Sequence, residues 1–237
     1  SGAETLENKL IPLVRRWGGQ AIAEVIPSGS YAKGTVIRGG TDIDLLISLR
    51  DDVAYTVGDL YFNLFQWLGR EGFAIRTQNV SIGMQFEEHK VDLIPAKRLG
   101  WPGDDCYVYR WRLDTWTKTN IREHVRLVRE SGRTEEIKAI KLWRNIHGLE
   151  FPSFCLELAV IEALKGRPTG RLERNVWTVL EFLAEEFAER EFVDLANVEN
   201  VISNDLSEAG RQMIAQEADR SRHMLTWEEV YGTVNLV

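Results

Sequence analysis

The period of the apolar positions changes several times along this chain, and each change marks an element. Over residues 4–18, Leu6, Leu10, Leu13 (or Val14) and Trp17 recur every three to four residues, which predicts an amphipathic helix ended by Gly18-Gly19. Ala21 to Pro27 reads as a short apolar strand closed by Pro27-Ser28-Gly29. Thr41 to Leu49 predicts a clearer strand, with Ile43, Leu45 and Ile47 alternating with Asp42, Asp44 and Leu46. Asp51 to Gly69 is helical in pattern, and Phe73–Thr77, Val80–Phe86 and Lys90–Pro95 are three further short strands. From Asn120 the period is helical and stays so. Ile121, Val125 and Val128 form one row, Thr134 suits an N-cap for a helix to Gly148, and Pro152-Ser153 opens another to Leu164. Residues 175–190 and 207–221 complete the series. The pattern predicts an α/β (α+β) protein in two lobes, a mixed-sheet lobe over 1–115 and a helical lobe over 116–237. The N-terminal helix could pack on either lobe. Leu99–Thr119, rich in Trp and Tyr, suits the connection between them.

Composition narrows the class. The 237 residues are 44% hydrophobic and 27% charged, an ordinary globular balance that excludes disordered and fibrous chains. The net charge of −7 argues against a general nucleic-acid coat protein, whose affinity comes from neutralising phosphates. Local charge changes that picture. Residues 97–147 hold 12 Lys/Arg against 7 Asp/Glu, whereas residues after 147 hold 17 Asp/Glu against 8 Lys/Arg. An anionic ligand therefore still has a basic wall available. Cys106 and Cys155 lack any metal spacing and read as free thiols of a reducing compartment. No apolar run reaches a membrane span and no signal segment opens the chain, so the expected location is the cytoplasm. Ser1-Gly2 reads as a tag remnant.

The candidate chemistry lies in Gly29-Ser30, Asp42-x-Asp44 and Asp92. Alternation puts Asp42 and Asp44 on the same face of one strand, where two carboxylates repel each other unless a cation sits between them. Oxygen-only ligands of this kind suit Mg²⁺, which takes its remaining ligands from water and substrate phosphates. Asp92, on another predicted strand, would complete a three-carboxylate cluster for two ions and in-line phosphoryl transfer. Before it, Gly29 lets the backbone approach a phosphate and Ser30 adds a hydroxyl at a helix N-terminus, with Lys33 adding charge. A lone Asp-x-Asp is ordinarily a solvated strand edge and a lone Gly-Ser a turn; the order and the Ile/Leu-rich strand distinguish this case. Arg122, Arg126, Arg129 and Arg133 read as a basic row, either solvated or contacting nucleic-acid phosphates. Tyr31, Trp101, Tyr107, Tyr109, Trp111 and Trp116 serve either packing or nucleobase stacking.

Gly29-Ser30, Gly40-Thr41-Asp42-Ile43-Asp44 and Val91-Asp92-Leu93-Ile94-Pro95 resemble the polymerase-β-type nucleotidyltransferases. Lys138-Ala139-Ile140-Lys141-Leu142-Trp143 and Phe151-Pro152-Ser153-Phe154-Cys155-Leu156-Glu157-Leu158 resemble the helical half of the oligoadenylate-synthase and cyclic-dinucleotide-synthase (CD-NTase) branch. Asp194–Val201 is similar to that branch's aspartate-proline segment, without the proline. The resemblance implies that Asp42 and Asp44 bind two Mg²⁺ ions, with Mn²⁺ as a substitute. Asp92 would bind one ion and help deprotonate the attacking hydroxyl. Gly29 and Ser30 would hold the donor triphosphate, and Lys141 and Ser153 match phosphate-contacting positions of the helical lobe. Lys141 also shares a helix face with Lys138 and Arg144, while Ser153 equally suits an N-cap. The implied activity is Mg²⁺-dependent synthesis of a cyclic or short linear oligonucleotide second messenger from ATP or other nucleoside triphosphates, in bacterial antiviral defence. A nucleic-acid partner is not favoured, and a protein regulator is compatible with the sequence. The alternatives are a terminal RNA or tRNA nucleotidyltransferase (CCA-adding or poly(A) polymerase-like), a protein-modifying antitoxin-like enzyme, and a non-catalytic nucleotide-binding module.

Overall fold

The structure, a computed structural model, describes residues 6–37, 42–100 and 102–232. Glu4 at the expected helix start, Gly40 and Thr41 before the carboxylates, and Trp101 lie outside the described residues. The chain divides into two compact units, Ser1–Arg126 and Leu127–Val237. That division falls later than residue 115, inside the helix Ile121–Glu130.

The first unit is built on a mixed sheet. Its strands are β1 (Ile22–Ser28), β2 (Ile43–Leu49), β3 (Ile75–Thr77), β4 (Ile82–Phe86), β5 (His89–Arg98), β6 (Cys106–Arg110) and β7 (Thr115–Thr119). The order is β1-β2-β5-β4-β3, with β6 paired to the far end of β5 and β7 to β6. β2 and β5 run parallel and every other pair is antiparallel. Leu45, Ile47 and Leu49 of β2 and Val91 and Leu93 of β5 enter one apolar cluster. Helix α1 (Ile11–Gly18), preceded by a π turn over Leu6–Leu10, adds Leu13 and Val14 to it, so the N-terminal helix belongs to this unit. After the five-residue α2 (Gly29–Lys33), helix α3 (Val57–Arg70) adds Leu60, Tyr61, Leu64 and Leu68. It begins six residues later than the sequence suggests, because Thr56 and Asp59 form a reciprocal capping box there. Leu46, Ala96, Cys106 and Val108 make a smaller cluster from the opposite parity of β2 and β5.

The expected connection over Leu99–Thr119 is instead the β6–β7 hairpin. Its aromatic residues pack on one another and on α3: Tyr107 meets Trp116 edge to face at 4.4 Å, and Tyr109 lies 5.4 Å from the buried Tyr61 of α3. Alternating aromatic and β-branched residues in Cys106–Arg110 and Thr115–Thr119 are strand formers once a partner edge exists. β5 supplies that edge.

The second unit is helical. α4 (Ile121–Glu130) straddles the division, and α5 (Thr134–Ile146), α6 (Ser153–Ala163), α7 (Leu172–Glu185), α8 (Glu208–Arg222) and α9 (Trp227–Tyr231) follow, with a small hairpin of β8 (Val193–Asp194) and β9 (Asn197–Val201). Cys155 to Val160 of α6 are all buried, Glu157 among them, as expected of a helix at the centre of its unit. Trp143 is fully buried and its indole N–H donates to Ser221 Oγ at 2.9 Å. Three local readings change here. Arg133, rather than Thr134, holds the N-cap position of α5, and Pro152 holds that of α6. Arg133 also leaves the expected basic row: it is buried, and its guanidinium donates to the carbonyls of Leu164 (3.0 Å) and Pro168 (3.2 Å). Arg122 and Arg126 stay exposed and pair with Glu24 and Glu123.

Candidate active site

Strand register assembles the site. Ser28 pairs with Asp44, Asp44 with Asp92, Asp92 with Gly83, and Gly83 with Arg76. These five residues form one row across β1, β2, β5, β4 and β3. Paired residues share a face, so a single row of the sheet carries two carboxylates, a glycine notch and an arginine. The opposite parity of β2 and β5 is buried in the larger apolar cluster, which holds the register. Asp42 stands two residues before Asp44, exposed, at the mouth of β2.

Gly29 follows Ser28 directly and brings the loop onto that row. Its φ is +61°, and a Cβ at this position would come within 1.6 Å of Asp44 Oδ2. The Asp44 carboxylate therefore rests against the backbone of Gly29, so the Gly29-Ser30 loop and Asp44 are parts of one site. The first N–H groups of α2 lack intrahelical partners, and beside them Ser30 supplies its hydroxyl. A five-residue helix carries little macrodipole, so donor hydrogens rather than the dipole would hold an anion here. Lys33 is buried within this unit, with 8% of its surface exposed. Gly29→Ala is expected to lower activity about 100-fold, the scale of a 1 Å misplacement at a reacting centre. The left-handed backbone adds a cost of about 1–2 kcal/mol. Steady-state rates and a thermal melt check both parts; wild-type turnover in the variant would disprove the close-approach argument.

Asp92 stands in the middle of the row, between Asp44 and Gly83. Burial pushes its pKa above the ordinary value; Arg76 opposes that shift, and the nearby Asp42 charge reinforces it. Gln78 Nε2 donates to Asp92 Oδ1 at 2.8 Å, and Arg76 Nη2 stands 3.8 Å from the same oxygen. Among the described residues no three His, Cys, Asp or Glu side chains converge closely enough to hold a metal ion as they stand. The donor chemistry nevertheless fits a divalent cation. A buried carboxylate destabilised by burial and by a second carboxylate is relieved by a cation, and all the available ligands are hard oxygens.

In the second unit, Lys141 is 3% exposed and donates from Nζ to Glu157 Oε1 at 2.7 Å. Ser153 opens α6 without capping it; its hydroxyl accepts from Arg144 Nη1 at 3.0 Å. Arg144 Nη1 also donates to the Phe151 carbonyl at 2.9 Å.

Comparison with known proteins decides the family. The nucleotidyltransferase domain family matches residues 8–150, more than half of the chain. The protein belongs to that family. A cyclic AMP-AMP-AMP synthase from Escherichia coli (strain MS 115-1) is 23% identical over 177 residues, covering 68% of this chain and 55% of that protein. This nucleotidyltransferase thus spans about half the length of that curated relative. Its fold is similar to E. coli MS115-1 CdnC, solved with HORMA-deltaN and with ATP. Both superpositions have a TM-score of 0.76 over 98% of this chain, at 19% and 20% identity, and cover 89% and 90% of the CdnC chain. The CD-NTase CdnG of Bradyrhizobium diazoefficiens, solved with GTP, gives a TM-score of 0.74 at 15% identity over 98% of this chain and 90% of its own.

The structure places three residues beside Asp92 that sequence reasoning passed over: Arg76, Gln78 and Gly83. Arg76 and Gln78 are two apart near β3, which placed them together, but their approach to Asp92 depends on strand order. No local pattern reports that order.

Proposed function

We propose that the protein transfers a nucleotidyl group from a nucleoside triphosphate to a hydroxyl of a second nucleotide, releasing pyrophosphate and building a cyclic or short linear oligonucleotide second messenger. The observation that carries this reading is the contact of Gly29 with Asp44, on the row that also holds Asp92. It joins a phosphate-approaching loop to the carboxylates in a chain of the nucleotidyltransferase family. Asp42, Asp44 and Asp92 would hold divalent cations, Mg²⁺ first. When bound, these supply charge neutralisation at the reacting phosphate and at the leaving pyrophosphate. The backbone at Gly29 and the Ser30 hydroxyl bind and orient the triphosphate. Asp92, whose basicity is raised by burial, accepts the proton of the attacking hydroxyl as its oxygen bonds to the α-phosphorus and the bond to the bridging oxygen breaks. Positioning and charge neutralisation carry the rate. A second-messenger role in antiviral defence and control by a protein regulator are part of this proposal, supported by the likeness to CdnC, which was solved with a HORMA protein. Among the described residues no helix is long and apolar enough to cross a membrane.

Incubation with each labelled nucleoside triphosphate and Mg²⁺, alone and then with RNA, tests the reading. Small labelled products without RNA are expected, and nuclease digestion with chromatography then identifies linkage and cyclisation. Label entering only RNA would replace the proposal with a terminal nucleotidyltransferase. Label on protein would replace it with a protein-modifying enzyme, and no product under any condition with a binding module.

A further inference from the structure

Gln78 is held from several sides. Its backbone N–H donates to the Ser81 carbonyl at 3.0 Å, and Ser81 Oγ donates to Gln78 Oε1 at 2.9 Å. The hydroxyl of the fully buried Tyr61 reaches the carbonyls of both Gln78 (3.2 Å) and Ser81 (3.0 Å), which ties this turn to α3. With Oε1 taken by Ser81, the amide presents Nε2 outward, and Nε2 donates to Asp92 Oδ1 at 2.8 Å. The path it follows exists because position 83 has no side chain. A Cβ on Gly83 would lie 2.7 Å from Gln78 Nε2 and 2.5 Å from Arg76 Nε.

We propose that Gln78, oriented by Ser81 and admitted by the Gly83 notch, is a positioning residue that engages one oxygen of Asp92 and leaves the other to face a divalent cation. This rests on the reading of Asp92 as a carboxylate of the reacting site. A carboxylate free to rotate must be ordered each time a cation binds, whereas one tethered through Oδ1 meets it in a set orientation. Hydrogen-bond partners of metal ligands typically alter metal affinity or activity about 10–100-fold when removed. Gln78 acts through Asp92, so the expected signature is weaker cation binding and a lower kcat, with KM for the nucleotide changed less than about twofold.

Mn²⁺ binding to the full chain, followed by electron paramagnetic resonance without nucleotide, reads this apart from turnover. Gln78→Met keeps length and apolar packing but removes the donor, and is expected to weaken Mn²⁺ binding about tenfold. Gly83→Ala should act in the same direction by displacing Nε2. The double variant should lose less than the product of the two single effects, since both disturb the Gln78–Asp92 bond, while Gly83→Ala also presses on Arg76. Ser81→Ala, which frees the amide to turn over, should give a smaller loss; it also serves as the test if Gln78→Met does not fold, as judged by its melting transition. Mn²⁺ binding within twofold of wild type in both Gln78→Met and Ser81→Ala, beside a clear loss in Asp92→Asn, would overturn the positioning role alone. Wild-type binding in Asp92→Asn would overturn the reading of the site on which it rests.

Discussion

Asp42→Asn combined with Asp44→Asn is expected to bring pyrophosphate release down at least about 1,000-fold, roughly 4 kcal/mol of transition-state stabilisation, while the protein stays folded. The two positions differ in setting: Asp42 is exposed before β2, and Asp44 is half-buried against Gly29. Asparagine preserves the shape of both and removes both charges. The Asp42 charge raises the pKa of Asp92, so removing it relieves a carboxylate repulsion in the ligand-free protein. The melting temperature should therefore hold or rise slightly as the rate collapses. A coupled pyrophosphate assay beside a calorimetric melt makes the measurement. Turnover at the wild-type rate in the double variant would remove these residues from the chemistry.

The second large effect concerns Lys141. Family resemblance points this lysine at the donor phosphates, yet it is buried with Glu157, itself 1% exposed, at 2.7 Å. Taking one member from a buried ion pair leaves the other charge in a low-dielectric interior without that partner, at a cost of about 3–5 kcal/mol. For a chain of this length each kcal/mol moves the melting temperature by about 2–4 °C, so Lys141→Met should lower it on the order of 10 °C. Lys141→Met with Glu157→Leu should recover most of that loss, because two apolar side chains of similar volume replace the pair without stranding a charge. Urea denaturation of the three proteins, with nucleotide affinity measured alongside, separates the two roles. A single variant of wild-type stability that binds nucleotide poorly would return Lys141 to phosphate recognition.

Much of the first unit is legible in the chain itself. Ile43, Leu45 and Ile47 announce β2, and the same alternation sets Asp42 and Asp44 on the other face, which is why the carboxylates stand out so early. Gly29 is legible because its place between a strand and a polar helix start asks for a residue without a side chain; its positive φ agrees. The β6–β7 hairpin is not legible, since Cys106–Arg110 becomes a strand by pairing with the far end of β5. Arg133 reads as a member of a basic row, and Lys141 as a phosphate contact on a helix face shared with Lys138 and Arg144. Both are internal, because the groups that compensate them arrive from distant segments: the carbonyls of Leu164 and Pro168 for one, Glu157 for the other. A cation's own neighbours in sequence do not report a partner that lies 16 or 31 residues away.

Local order along the chain singled out the candidate residues for the chemistry, because strand alternation and turn stereochemistry are properties of a few consecutive residues. It was enough to place Asp42 and Asp44 on one face, to set Gly29-Ser30 ahead of them and to separate a sheet-forming part from a helical one. Only the tertiary structure decided that Ser28, Asp44, Asp92, Gly83 and Arg76 make a single row, and that Gln78 reaches Asp92 across a glycine. Strand order and register come from the burial of whole faces and from hydrogen bonds between segments distant in sequence. Those terms act only once the chain has folded back on itself.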